Sequence, residues 1–117
     1  MLTLMTDSKP LVWLHGEVKT PPFSRAARVE AGFLLRRLQS GEMLEMPASR
    51  PMPMVGSSCH ELRIDDGTVT WRLIYHVDTD AIVILDVFQK KSRTTPKQVI
   101  EVTRKRLRSY QRASRGE

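Results

Sequence analysis

Ten lysines and arginines crowd residues 88–117 (Lys90, Lys91, Arg93, Lys97, Arg104, Lys105, Arg106, Arg108, Arg112 and Arg115), opposed there only by Glu101 and Glu117. That stretch balances at +8, while residues 1–87, with nine basic and eleven acidic side chains, come to −2. The whole +6 excess therefore sits at one end of the chain. Such asymmetry points to a polyanionic partner, nucleic acid ahead of a membrane surface, with a solvated terminal helix and tail as the competing reading. His76 follows Arg72 by four residues on the same face of a strand, an imidazole able to take or give a proton near neutral pH. The other candidate groups read as structural. His60 points with Leu62 and Ile64 toward a core, His15 carries no motif, and Trp13 and Trp71 are core candidates. Cys59 is a lone thiol with no Cys-His-Asx arrangement near it, so it reads as incidental. One Cys and three scattered His offer no clustered metal ligands, and neither a metal nor another cofactor is expected.

The elements that must position these groups follow from pattern. At 117 residues one hydrophobic core can stand without staples, and the chain reads as a single domain, 1–117, with 1–9 and 113–117 frayed. Leu11–His15 is a short apolar run that predicts a strand buried on both faces. After Pro21-Pro22, Ser24 is placed to cap a helix ending near Ser40 and Gly41. Ala27, Ala31, Leu34, Leu35 and Leu38 form its apolar stripe. Three prolines and four methionines make residues 42–58 an extended, packed link, the methionines filling gaps beneath it. Period-two alternation then begins at Cys59. Asp65-Asp66-Gly67 and Asp78-Thr79-Asp80 mark reversals, so Cys59–Ile64, Val69–Val77 and Ala81–Phe88 form a three-stranded antiparallel meander. Thr95 as cap and Pro96 at the first helical position open a terminal helix, with Val99, Ile100, Thr103, Leu107 and Tyr110 on one side and basic residues on the other. The fold class expected is α+β. No window supplies about 20 apolar residues for a membrane helix. The opening MLTLMTDSKP does not read as a secretory signal, and a single cysteine suits a reducing cytoplasm.

At these residues the chain resembles a known group. His60-Glu61-Leu62-Arg63, Trp71-Arg72-Leu73-Ile74-Tyr75, Ile82-Val83-Ile84-Leu85 and Phe88-Gln89-Lys90-Lys91-Ser92-Arg93-Thr94-Thr95-Pro96 resemble the RelE/HigB toxin superfamily, in particular its phage-derived HigB-like branch. The resemblance covers roughly residues 58–110. It implies a small RelE-like fold and a toxin of a type II toxin–antitoxin system that enters the ribosome and cuts mRNA there, by attack of a ribose 2′-hydroxyl on the adjacent phosphate. It also implies a cognate antitoxin, expected to be a helix-turn-helix protein encoded beside the toxin. Carried over residue by residue, Arg72 is the phosphate-stabilising arginine of the middle strand, Lys91 with Lys90 the basic pair after the last strand, and Arg63 a basic position on the preceding strand. With His76 as a proton-transfer candidate, these make the catalytic set Arg72, Lys91, Arg63 and His76. Lys90, Arg93, Lys97, Arg104 and Arg108 make the RNA-binding set. The sequence departs from RelE-type members at Cys59 and Glu61, where they place lysines. That departure keeps two other classes open: a ParE-like toxin that blocks DNA gyrase by binding, and a catalytically inactive RNA- or antitoxin-binding member of the fold. For Arg72 itself the alternative to a functional role is an ion pair with Glu61.

Overall fold

A computed structural model describes residues 8–15, 22–91 and 94–116. It contains β1 (Leu11–Trp13), α1 (Arg25–Gln39), β2 (Ser49–Pro51), β3 (Cys59–Asp66), β4 (Val69–Val77), β5 (Ile82–Lys90) and α2 (Lys97–Ser114). The strands make one mixed sheet in the order β1-β5-β4-β3-β2, antiparallel except for the parallel β1–β5 pair. The architecture is α+β, and the meander β3–β4–β5 forms its centre as the alternation predicts.

Period-two alternation explains the two layers. Leu62, Ile64, Leu73, Tyr75, Ile82 and Ile84 turn to one face and pack with the α1 stripe Ala27, Ala31, Leu34, Leu35 and Leu38. Cys59, Ile74, Val83 and Leu85 turn to the other and pack with Leu107, Met52 and Val55. Each fully buried aliphatic side chain contributes about 1.5–3 kcal/mol relative to exposure. Between Ile74 and Tyr75 the β4–β5 register shifts, Ile74 facing Asp86 and Tyr75 facing Ile84. The extra β5 residue, a β-bulge, lets Leu85 enter the α2-side core while Asp86 meets Arg106 of α2 at 3.4 Å.

The ends of α1 are fixed as its sequence predicts. Ser24 accepts a bond from the Ala27 amide at 3.1 Å, and Gly41 beyond the helix takes a positive φ of 97° that glycine adopts without strain. Asp66 accepts from the Ser24 amide at 3.0 Å and from Trp71 Nε1 at 3.2 Å. These bonds, those from Ser24 foremost, hold its carboxyl below the usual range and tie α1 to the β3–β4 hairpin.

Several expectations are corrected. The first strand is three residues long and only half-buried, because it pairs on one side alone, with β5. Lys9 is held rather than frayed: its amide donates to Gln39 O at 2.8 Å and its ammonium to Asp78 O at 2.8 Å. At the other end α2 continues through Ser114. The 42–58 link contains β2, whose backbone extends the sheet beside β3. Of its methionines only Met52 fills a gap, whereas Met43, Met46 and Met54 are exposed. Thr95 does not cap α2: Pro96 occupies the cap position and makes no side-chain bond, because the Thr95 hydroxyl is engaged elsewhere. Among the described residues no helix is long and apolar enough to cross a membrane.

Candidate nucleic-acid interface

The strip of residues that crosses the α2-side face near the start of α2 is polar, and its register can be read strand by strand. Arg50 of β2 lies opposite Glu61 of β3, Arg63 of β3 opposite Arg72 of β4, and Thr70 of β4 opposite Lys90 of β5. Alternation places Glu61, Arg63 and Arg72 on the same face, and the bulge in β5 brings Lys90 to it.

Glu61 is the hub of this strip. Its side chain is 0% exposed, a state a carboxylate tolerates only when paired and hydrogen-bonded. Arg50 Nε donates to Glu61 Oε1 at 3.0 Å, and the Thr95 hydroxyl donates to Glu61 Oε2 at 3.0 Å. Arg72 Nε lies 3.6 Å from Glu61 Oε1, close enough to attract but beyond a hydrogen bond. That nitrogen is buried without a hydrogen-bond partner. The Glu61–Arg72 ion pair weighed from sequence is thus present, but it is the weaker of the two arginine contacts.

Two carboxylates, Glu61 and the more exposed Asp65, face four cations here, Arg50, Arg63, Arg72 and Lys90. Burial, with the nearby Arg63 and Arg50 charges, lowers the Arg72 guanidinium despite the pull of Glu61. Burial, followed by the charge of Arg72, lowers the Lys90 ammonium as well. The cluster therefore repels itself and gains from an added anion. Arginine suits the contact, since its fork stays charged and binds phosphate in two-point fashion.

The sequence-predicted residues do not all arrive at this place. Arg72, Lys90 and Arg63 do, although Arg63 also pairs with Asp65 at 3.1 Å. Lys91 follows directly, exposed at the end of β5, and Lys97 stands exposed at the start of α2. Arg93 lies outside the described residues. His76 shares the face of Arg72 but sits four residues, about 13 Å, farther along the strand. It is buried, its Nδ1–H donating to Ser57 O at 3.0 Å and lying 3.6 Å from the Cys59 sulfur. The structure withdraws it from the cluster, because the meander covers that end of the face with the link 52–58. Arg104 is likewise committed, Nε donating to Met54 O. Arg108 stands with Lys105, Ser109 and Arg112 around a shallow groove on the outer side of α2, separate from the Glu61 hub. The terminal basic residues thus divide between two surfaces and a structural bond.

Sequence reasoning missed two participants. Arg50 lies among prolines in a stretch without alternation, and Thr95 carries the ordinary signature of a helix cap. The signal that could have found them is Glu61, a carboxylate between the inward positions Cys59 and Ile74, whose burial demands more than one partner.

Cys59 is buried, and that burial pushes its thiol up to about 11, which keeps it protonated and unreactive. His60 stacks on Tyr75 with ring centroids 5.4 Å apart, on the α1 side as expected. Among the described residues no group of His, Cys, Asp and Glu could hold a metal ion.

No curated protein matches the chain. A family model described as phage-derived protein Gp49-like (DUF891) matches residues 22–108, a span that holds α1, the whole Glu61 cluster and most of α2. The match takes in well over half of the 117 residues, and the chain belongs to the Gp49-like family of phage-derived proteins.

Proposed function

We propose that this chain is the toxin of a type II toxin–antitoxin system, a ribosome-dependent endonuclease that cleaves mRNA by 2′-hydroxyl attack on the adjacent phosphate. The observation that carries the reading is the crowding of Arg72 and Lys90 with further cations around one buried carboxylate, an arrangement short of negative charge. Membership of a phage-derived family accords with the phage-derived HigB-like resemblance. In this reading Arg72 steadies the charge that develops on the phosphate. Lys90, lowered by burial and by Arg72, holds its proton less tightly than an ordinary lysine, and its neutral amine is the form that accepts the proton of the 2′-hydroxyl. The exposed ammonium of Lys91 gives a proton to the departing 5′-oxygen, leaving a 2′,3′-cyclic phosphate and a 5′-hydroxyl. Arg63 and Lys97 contact neighbouring phosphates, while Lys105, Arg108 and Arg112 offer a second cationic face for ribosomal RNA. An antitoxin encoded beside the toxin restrains it. His76 has no part, being buried and bonded away from the cluster.

The withdrawal of His76 and the pairing of Arg72 with Glu61 favour, as a second reading, a ParE-like toxin that binds DNA gyrase and does no chemistry. Purified protein added to a translating extract separates the two. New mRNA 5′ ends within ribosome-covered sequence support the nuclease; intact mRNA with loss of gyrase supercoiling supports the second reading.

A further inference from the structure

Arg50 is the principal cation on Glu61, since Arg72 stands beyond hydrogen-bond distance, yet that pairing does not use up its guanidinium. Arg50 spends Nε on Glu61 at 3.0 Å, and its outer nitrogen reaches Thr95 Oγ1 only at 3.4 Å. Its side chain stays 39% exposed, whereas that of Arg72 is 12% exposed. Anchored at the neck by a buried carboxylate, the guanidinium has lost most of its freedom while its head remains in reach of solvent. Of the two arginines on Glu61, Arg50 is thus the more open to an anion from solvent.

We infer that Arg50 is a phosphate-contacting residue of the same surface as Arg72, held ready by Glu61, and that the RNA backbone spans from β2 to the end of β5. The inference rests on the RNA-binding part of the proposed function but not on cleavage. Burial foremost lowers Arg72 and Lys90, and the Arg50 charge adds a smaller push in the same direction, as expected of neighbouring cations that gain together from a shared anion.

The test is binding of a labelled single-stranded RNA dodecamer, followed by anisotropy across a salt series. Arg50→Gln removes the charge but keeps an amide donor for Glu61, which guards against misfolding. It is expected to weaken binding several-fold and to flatten the slope of log affinity against log salt by about 0.7, the loss of one phosphate contact. Arg50→Lys is expected to restore the slope, and Arg50→Gln with Arg72→Gln to lose about twice as much. If Arg72→Gln flattens the slope and Arg50→Gln leaves it at the wild-type value, the inference fails while the functional reading stands. If wild-type protein does not bind the RNA at all, the inference fails, while the ribosome-dependent reading is decided by the translating extract.

Discussion

The Glu61 cluster makes an unequal prediction about two members of one ion pair. In Glu61→Ala, Arg50 Nε and the Thr95 hydroxyl lose their acceptor, and Arg50, Arg72 and Lys90 are left facing one another with only Asp65, already paired with Arg63, as a carboxylate nearby. Stranding a buried charge costs about 3–5 kcal/mol. Because Arg50 is 39% exposed and regains water, the low end, about 3 kcal/mol, applies here, still a large share of the roughly 5–15 kcal/mol that holds a domain together. Arg72→Ala breaks only a 3.6 Å contact and removes a nitrogen that already lacks a hydrogen bond. Its cost is about 1–2 kcal/mol, mostly the packing of the aliphatic stem. Urea denaturation of both variants measures the difference. At about 3–6 °C per kcal/mol for a chain of this size, Glu61→Ala should also lose more than about 10 °C of Tm. The double variant should be less destabilised than the sum of the singles, because fewer cations are stranded. A Glu61→Ala protein within about 1 kcal/mol of wild type, or an Arg72→Ala protein as weakened as Glu61→Ala, would refute this account of the cluster.

Three further outcomes are expected. Tyr75→Phe strands the buried Ser49 hydroxyl that shares a 2.6 Å hydrogen bond with it, and should lower the urea-derived stability by about 1–3 kcal/mol; an unchanged midpoint would contradict the buried bond. The Cys59 thiol, at about 11 when folded against 9.0 as the ordinary value, holds its proton where the unfolded chain gives it up. Stability should therefore be unaffected by this group below pH 9 and decline as pH rises from there toward 11. Cys59→Ala should remove that part of the decline, and an unaltered profile would count against the burial argument. For ribosome co-sedimentation, Lys90→Ala and Lys91→Ala should each reduce the salt dependence, and Lys90→Ala should alter the pH profile of cleavage; a profile like that of wild type would reject Lys90 as the proton acceptor.

The meander was legible because its strands alternate cleanly and its reversals carry aspartate and glycine, and α1 was legible because its apolar spacing, Ser24 and Gly41 agree. The β1–β5 pairing was not, since a three-residue edge strand carries no period and its parallel partner lies some 70 residues away. β2 escaped notice for a similar reason: Ser49-Arg50-Pro51 joins the sheet through its backbone, which side-chain patterning does not report. At the candidate site, the face shared by Arg63 and Arg72 follows from alternation, whereas Lys90 reaches it only because the bulge resets the phase of β5. Alternation puts His76 on that face too, yet it is blind to how far along a strand the covering link begins. Thr95 shows the limit of local rules most clearly, for a threonine before Pro96 has the chemistry of a cap, and only the long-range burial of Glu61 decides that its hydroxyl goes elsewhere.

The most direct measurement is a map of mRNA 5′ ends in a translating extract given wild-type protein or folded Arg72→Ala protein. The account predicts new ends inside ribosome-covered codons with the wild type and their disappearance with the variant, its circular dichroism and melting remaining cooperative. Identical maps for the two proteins would contradict it.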